Sequence, residues 1–391
     1  MKRSYKVLHA PSTVGGNPQG MSKALKVMGV DSCSLTFSQN YFAYKTDVVV
    51  WNKSDSSIKR QIKRLRLFFS VLRRYNILHF NAGESLFGPI FVKSFDGSTS
   101  VIAKFRYYIL KSMSKALWLA QGVELFLYRL LNKPLFMTYQ GSDARQGSFC
   151  RENFSIHFIT EVEVGYFQEQ TDLQTKRAIA RFEKYCDQIY ALNPDIMWVL
   201  PSSTKFIPYS HIFLDEWIPV YTQDSERPLR IAHAPSHRKI KGTDYILKAL
   251  ENLEKKGYDF ELLLVEGLSN AEARKVYERA DVLVDQLLVG WYGGLAVEAM
   301  ALGKPVLVYI REEDLKFIPE QMKDDLPFVR VTPETIEQGL QKVLEMPKDE
   351  LVLWARKSRA YVEKWHDPIK IANIVKADYE KALKMCEGNF Q

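Results

Sequence analysis

Three observations predict an α/β fold of two successive halves, each a parallel sheet with helices on both faces. Short apolar runs alternate with segments of helical spacing along the first half, the pattern of parallel strands joined by crossover helices. A second series of the same kind begins near Leu229. Between them lies Leu214 to Arg230, a stretch holding Pro219 and Pro228, which suits a boundary. The length of 391 residues allows two or three domains at about 150 residues each. The expected division is 1–218, 219–355 and a C-terminal helical segment, 356–391.

The elements follow in order. Tyr5 to Ala10 reads as a strand, Ser12 to Gly20 as a glycine-containing turn, and Met21 to Met28 as a helix closed by Gly29. Gly15 and Gly16 would let backbone approach a ligand closely, and equally suit a tight turn with no ligand. Strands are expected at Asp47–Trp51, Ile77–Phe80 and Leu135–Tyr139. In parallel sheets the functional loops lie at the carboxyl ends of strands, here His79 to Glu84 and Tyr139 to Arg145. The second half offers strands at Arg230–Ala234, Phe260–Val265, Asp281–Asp285 and Pro305–Ile310. It also offers a helix from Asp244 to Lys256 and a capping box at Ser269-Asn270-Ala271-Glu272. Asp349 to Leu383 is helical, with a break expected at Trp365-His366-Asp367-Pro368.

Composition excludes several classes. Hydrophobic residues make up 46% and charged residues 26%, which is neither disordered nor collagen-like. The net charge of +8 fits an anionic small molecule, an anionic membrane face or nucleic acid without choosing among them. Cys33, Cys150, Cys186 and Cys386 are far apart, so no disulfide framework or zinc site is expected and a reducing compartment is favoured. Met1 to Leu8 holds no signal core, and no apolar stretch is long enough to span a bilayer.

The most informative stretch runs from Asp281 to Val306. A strand leads through Asp285-Gln286 and Gly290-Trp291-Tyr292-Gly293-Gly294-Leu295 into a short helix carrying Glu298. Gly303 suits a left-handed helix stop. Amides around Gly293, Gly294 and Leu295 at a helix N-terminus would hold a phosphate or diphosphate. The run Gly-Gly-Leu-Ala-Val-Glu-Ala-Met-Ala-Leu-Gly-Lys-Pro-Val, Gly293 to Val306, resembles the donor-binding signature of family 4 retaining glycosyltransferases of the GT-B fold. That signature is E-x7-E followed by A-M-A-x-G-x-P-V. Glu298 matches the second glutamate, whose implied role is to bind the donor ribose. The first glutamate's position is Gly290, a departure for which Asp285 and Gln286 are the candidate substitutes.

The resemblance implies two Rossmann-like domains facing across a cleft, with a C-terminal helix crossing back to the N-terminal domain. It implies transfer of a sugar from a nucleotide-diphosphate sugar to an acceptor hydroxyl, with the anomeric configuration retained. The donor is a substrate; no tightly bound cofactor and no metal are expected. In His233 to Gly242, Arg238 and Lys241 are the expected diphosphate clamp. Gly15 and Gly16 correspond to the family's first glycine loop. Gly141-Ser142-Asp143 resembles its acceptor-side loop, with Gln140 where a histidine is usual. Asp143 and Arg145 are candidates to position the acceptor hydroxyl, with Ser142, His79 and Asn81 beside them. Asp143 equally suits a helix cap, and His79 a core histidine.

Two basic regions remain. Lys59 to Arg74 holds seven cations and no acid; Val101 to Lys133 interleaves aromatics with six cations and one acid, Glu124. These suit an anionic membrane surface or the solvated faces of a helix pair. No nucleic-acid motif accompanies the charge. The expected setting is the cytoplasm, at the inner face of the membrane, with a glycan or lipid-linked acceptor in surface polysaccharide synthesis. A catalytically silent binding subunit and a sugar-nucleotide epimerase are the alternatives.

Overall fold

A computed structural model describes residues 5–11, 14–39, 42–88, 101–163, 166–221 and 226–388. The first half contains β1 (Lys6–His9), α1 (Asn17–Val27), β2 (Asp31–Thr36), β3 (Val48–Val49), α2 (Ser57–Arg74) and β4 (Ile77–Asn81). It continues with α3 (Val101–Leu130), β5 (Leu135–Tyr139), α4 (Gly147–Asn153), α5 (Glu169–Tyr185), β6 (Gln188–Ala191) and β7 (Lys205–Phe206). Every strand pair is parallel, in the order β3-β2-β1-β4-β5-β6-β7. Strands β4 and β5 are buried at every residue, as a sheet covered on both faces requires. The polar run Asp31 to Thr36 forms a strand the sequence reading did not include, as do β6 and β7. Ser32 and Ser34 face inward there, and Ser32 meets Ser22 of α1 at 2.9 Å.

The second half contains β8 (Leu229–His233), α6 (Arg238–Lys241), α7 (Thr243–Lys255), β9 (Phe260–Leu264), α8 (Asn270–Arg279), β10 (Val282–Val284), α9 (Gly294–Ala301) and β11 (Val306–Val308). After these come α10 (Glu320–Asp324), β12 (Val329–Arg330), α11 (Ile336–Leu344), α12 (Lys348–Trp365) and α13 (Pro368–Gly388). The sheet order is β12-β11-β10-β8-β9, again all parallel. The capping box at the start of α8 is formed, with Ser269 and Glu272 exchanging side-chain and backbone bonds.

Each sheet has a point where strand order reverses direction: between β1 and β4 in the first, between β8 and β10 in the second. Loops leaving the carboxyl ends on either side of such a point enclose a crevice. Those loops supply residues 10–11, 14–16 and 82–84 in the first half, and 234–237 and 285–293 in the second.

The C-terminal helices break where expected. Asp367 Oδ1 accepts from Ile369 N at 2.8 Å and Lys370 N at 3.3 Å, and Pro368 takes the first position of α13, where a missing N–H costs nothing. Helix α13 then lies against the first half. Tyr379 Oη meets His79 Nδ1, and Asp378 accepts from Tyr190 at 2.7 Å and pairs with Lys205 at 2.7 Å.

The corner itself is tied by a chain of polar contacts. The Tyr209 carbonyl can only accept, so His366 Nδ1 carries the proton that reaches it at 3.0 Å. Neutral Nε2 then accepts from Tyr292 Oη at 2.9 Å, and Tyr292 accepts from Tyr361 at 2.8 Å. Burial holds His366 neutral, its pKa lowered to about 3. The chain links helices α12 and α13, the turn before α9 and the segment after β7.

Candidate active site between the two halves

The turn from Asp285 to Glu298 is built around two carboxylates. Asp285 is buried; its Oδ2 accepts from Gly293 N at 2.6 Å and its Oδ1 pairs with Lys241 Nζ at 3.0 Å. Gln286 Oε1 also accepts from Lys241 Nζ, at 2.6 Å. Lys241 is thus aimed at the turn and away from solvent. Gly294 and Leu295 are the first two residues of α9, so their N–H groups have no partner inside the helix. These amides, with the Asp285-paired Lys241 ammonium beside them, form a corner of N–H donors suited to an anion. The helix closes at Gly303, φ +71°, with Lys304 N bonded to Ala299 O.

Gly290 is explained by its neighbour. Its φ is +93°, and a Cβ there would lie 2.6 Å from Arg311 Nη1. The Arg311 guanidinium fills that space, paired with Asp314 at 2.9 Å and stacked on Phe154 at 3.6 Å. A side chain at this position would have to displace the Arg311 guanidinium and adopt a left-handed backbone, and the buried carboxylate of the turn comes from Asp285. Tyr292, an expected donor contact, points into the core toward His366. Leu295 packs, half-buried, on the same core.

Glu298 lies at the floor of a cavity of about 770 Å³ between the halves. Asn270 Nδ2 donates to its Oε1 at 2.8 Å, and Tyr44 Oη lies 3.4 Å from the same oxygen. The walls come from α1 (Gln19, Lys23, Lys26) and α8 (Arg274, Lys275). Gly16 joins this wall with the Tyr44 ring against it; a Cβ on Gly16 would meet that ring at 2.8 Å.

A second cavity of about 320 Å³ holds Gly15, Ser142, Lys241, Gln286, Gly293 and Gly294 along its lining. Asp143 and Arg145 line it too, but their polar groups are already engaged. The Asp143 carboxylate accepts from Gln140 N at 2.9 Å and Gly141 N at 2.5 Å, shaping its own loop. Burial raises its pKa despite those bonds. Arg145 is paired with buried Asp195 through Nε at 2.6 Å and Nη2 at 3.1 Å.

Three expected residues are placed elsewhere. Arg238 lines neither cavity; it pairs with Glu266 at 2.6 Å on an exposed surface. His79 is fully enclosed, its Nε2 2.7 Å from Thr138 Oγ1, with burial holding its pKa well below the ordinary value. Asn81 is buried with its amide on the His79 carbonyl at 3.2 Å. Among residues the sequence reading did not place in the site, Tyr44, Asn270 and His211 surround Glu298. The capping box gave a signal for Asn270, since it fixes the first turn of α8; nothing in the sequence marked the other two.

No protein-family profile and no curated protein sequence matches the chain. Solved structures do. HepE from Anabaena, in complex with UDP-glucose, superposes with a TM-score of 0.57 at 12% identity, covering 96% of this chain and 100% of its own. Sucrose-phosphate synthase from Thermosynechococcus elongatus gives 0.59 at 14% identity, covering 98% and 100%. The catalytic domain of starch synthase IV from Arabidopsis thaliana, bound to ADP and acarbose, gives 0.59 at 10% identity, with the same coverage. The chain has the GT-B fold: two Rossmann-like domains with parallel sheets of seven and five strands, and a terminal helix crossing back.

Proposed function

We propose that the protein transfers a sugar from a nucleoside-diphosphate sugar to an acceptor hydroxyl, with retention and without a metal ion. The observation that carries this reading is the corner of N–H donors at the start of α9, with Gly294 and the Asp285-paired Lys241 at the wall of the smaller cavity and Glu298 at the floor of the larger. The nucleoside occupies the 770 Å³ cavity with its ribose on Glu298, and the diphosphate lies on the α9 amides and Lys241. The transferred sugar then extends into the smaller cavity, toward the Gln140–Arg145 loop. Charge developing on the departing diphosphate meets donors already in place. The leaving oxygen takes the acceptor proton, so no protein base is needed. Complexes of similar fold hold UDP-glucose, UDP or ADP, which supports a nucleotide-linked donor.

A silent nucleotide-binding subunit is the second reading, favoured by one observation: both Asp143 and Arg145 are engaged within their own half. The deciding experiment incubates a panel of uridine, adenosine and guanosine diphosphate sugars with mixed acceptors, with and without a chelator. Acceptor-dependent release of nucleoside diphosphate that survives the chelator is the expected result. A changed sugar on an intact donor identifies an epimerase, and binding without turnover the silent subunit.

We also assign the acceptor to a lipid-linked glycan at the cytoplasmic membrane face. Helix α3 exposes Phe105, Tyr108, Ile109, Trp118, Leu119 and Phe126, interleaved with Lys104, Arg106, Lys111 and Lys115. Helix α2 adds exposed Ile62, Leu65 and Phe69 among its cations. Apolar contact flanked by positive charge matches an anionic bilayer. No helix among the described residues is long and apolar enough to cross a membrane. Co-sedimentation with anionic vesicles, weakening with salt and lost on neutral vesicles, is the expected result.

A further inference from the structure

His211 sits between the two cavities. It follows β7 in the segment that joins the halves, and its side chain is only 3% exposed. Among the described residues neither ring nitrogen has a hydrogen-bond partner. Such groups are uncommon, because an unsatisfied buried polar atom destabilises the fold. Its surroundings show what is missing. Nε2 lies 3.6 Å from Glu298 Oε1, beyond hydrogen-bond reach. The ring covers Gly294: a Cβ on that residue would lie 3.3 Å from Cε1 and 3.4 Å from Nε2. The ring also lines the 770 Å³ cavity.

We propose that His211 is a donor-binding residue that shares one ribose hydroxyl with Glu298. A hydroxyl oxygen placed within hydrogen-bond distance of both Nε2 and Oε1 bridges the gap between them. The hydroxyl donates to the carboxylate and accepts from the imidazole Nε2–H, so that nitrogen gains a partner and Glu298 its ligand. No proton changes owner. The arrangement selects ribose over deoxyribose, because without that oxygen the imidazole stays unsatisfied and the carboxylate loses a donor. The inference rests on the nucleotide-sugar reading of the cavity.

The test is calorimetric titration of the full chain with uridine, adenosine and guanosine diphosphates, then with the 2′-deoxy and 3′-deoxy forms of the best binder. His211→Ala is expected to weaken the ribonucleotide about tenfold, the scale of one net hydrogen bond. It should leave affinity for one of the two deoxy forms unchanged, since that form has already lost the shared oxygen. His211→Asn, which keeps a donor, should recover part of the loss. Thermal unfolding of both variants confirms that they fold. If the wild-type chain binds none of the nucleotides, the functional reading falls and this inference with it. If the wild type binds and His211→Ala binds equally well, only this inference falls. Equal weakening for the ribo form and both deoxy forms also overturns it, since the histidine would then act on something other than a ribose hydroxyl.

Discussion

Two strand-end turns face each other across the cleft, and both read in sequence as binding loops. The turn after β5, Gln140 to Arg145, has its polar groups closed on itself: Asp143 on its own backbone, Arg145 on Asp195. The turn after β10, Asp285 to Glu298, also pairs its lysine, Lys241 on Asp285, but leaves the first amides of α9 without a helical partner, with Gly294 at a cavity wall. Polar residues at the end of a parallel strand therefore have two fates. Where a local partner satisfies them, they hold the loop in shape. Where the local partners run out, the remaining groups await a ligand.

The largest expected effect separates the two turns by stability. Arg145→Ala leaves the Asp195 carboxylate buried and unpaired, which should cost about 3–5 kcal/mol in urea unfolding. Nucleotide affinity should stay unchanged, and a variant that unfolds like wild type yet loses turnover breaks the contrast. Next is Lys241→Ala. Removing one donor from a developing anion should cost about 2.7–4 kcal/mol in kcat/KM, whereas Lys239→Ala, whose ammonium pairs with Asp244 outside the cavities, should cost little. Steady-state kinetics of the two variants decides the matter.

Glu298→Ala should weaken nucleotide binding by about 1.5–3 kcal/mol, the scale of a hydrogen bond to a charged group. Titration of the variant is the check, and unchanged binding with lowered stability would move Glu298 to the structural side of the comparison. The last prediction, small over any one pH unit, concerns the chain through His366. Its pKa is lowered by burial from 6.5 to about 3. Between those values the unfolded chain binds a proton there and the folded protein does not. Stability is thus full above pH 6.5 and falls toward pH 3, by about 1.4 kcal/mol per pH unit for this group. His366→Gln should flatten that part of the profile relative to wild type, as seen by urea unfolding at a series of pH values.

The α/β alternation, the helix stops and the Gly293–Val306 run carried the architecture and the glycine turn before α9, because each depends on local chemistry. Strands β2, β6 and β7 were not legible. β2 carries serines at positions that are buried through contacts with α1, and β7 is only two residues long. The surroundings of Glu298 were hidden for a different reason. Tyr44, His211 and Asn270 come from three separate segments, and only the meeting of the two halves makes them neighbours. Arg238 shows the converse: its place in the sequence suits a diphosphate clamp, while its ion pair with Glu266 is a contact between the start of α6 and the loop after β9 that no spacing rule reveals.

The return of α13 to the first half has a mechanical consequence. The chain passes between the two halves twice, once through the segment after β7 and once at the α12–α13 corner. Two crossings oppose separation and sliding of the halves. The contact between His366 and the Tyr209 carbonyl ties the two crossings together, so the pivot of the halves lies close to it. Opening about that pivot displaces the far rim, where α1 faces α8, the most. A bulky ligand can enter there while the groups nearest the pivot, Gly294 and His211 among them, hardly change their separation.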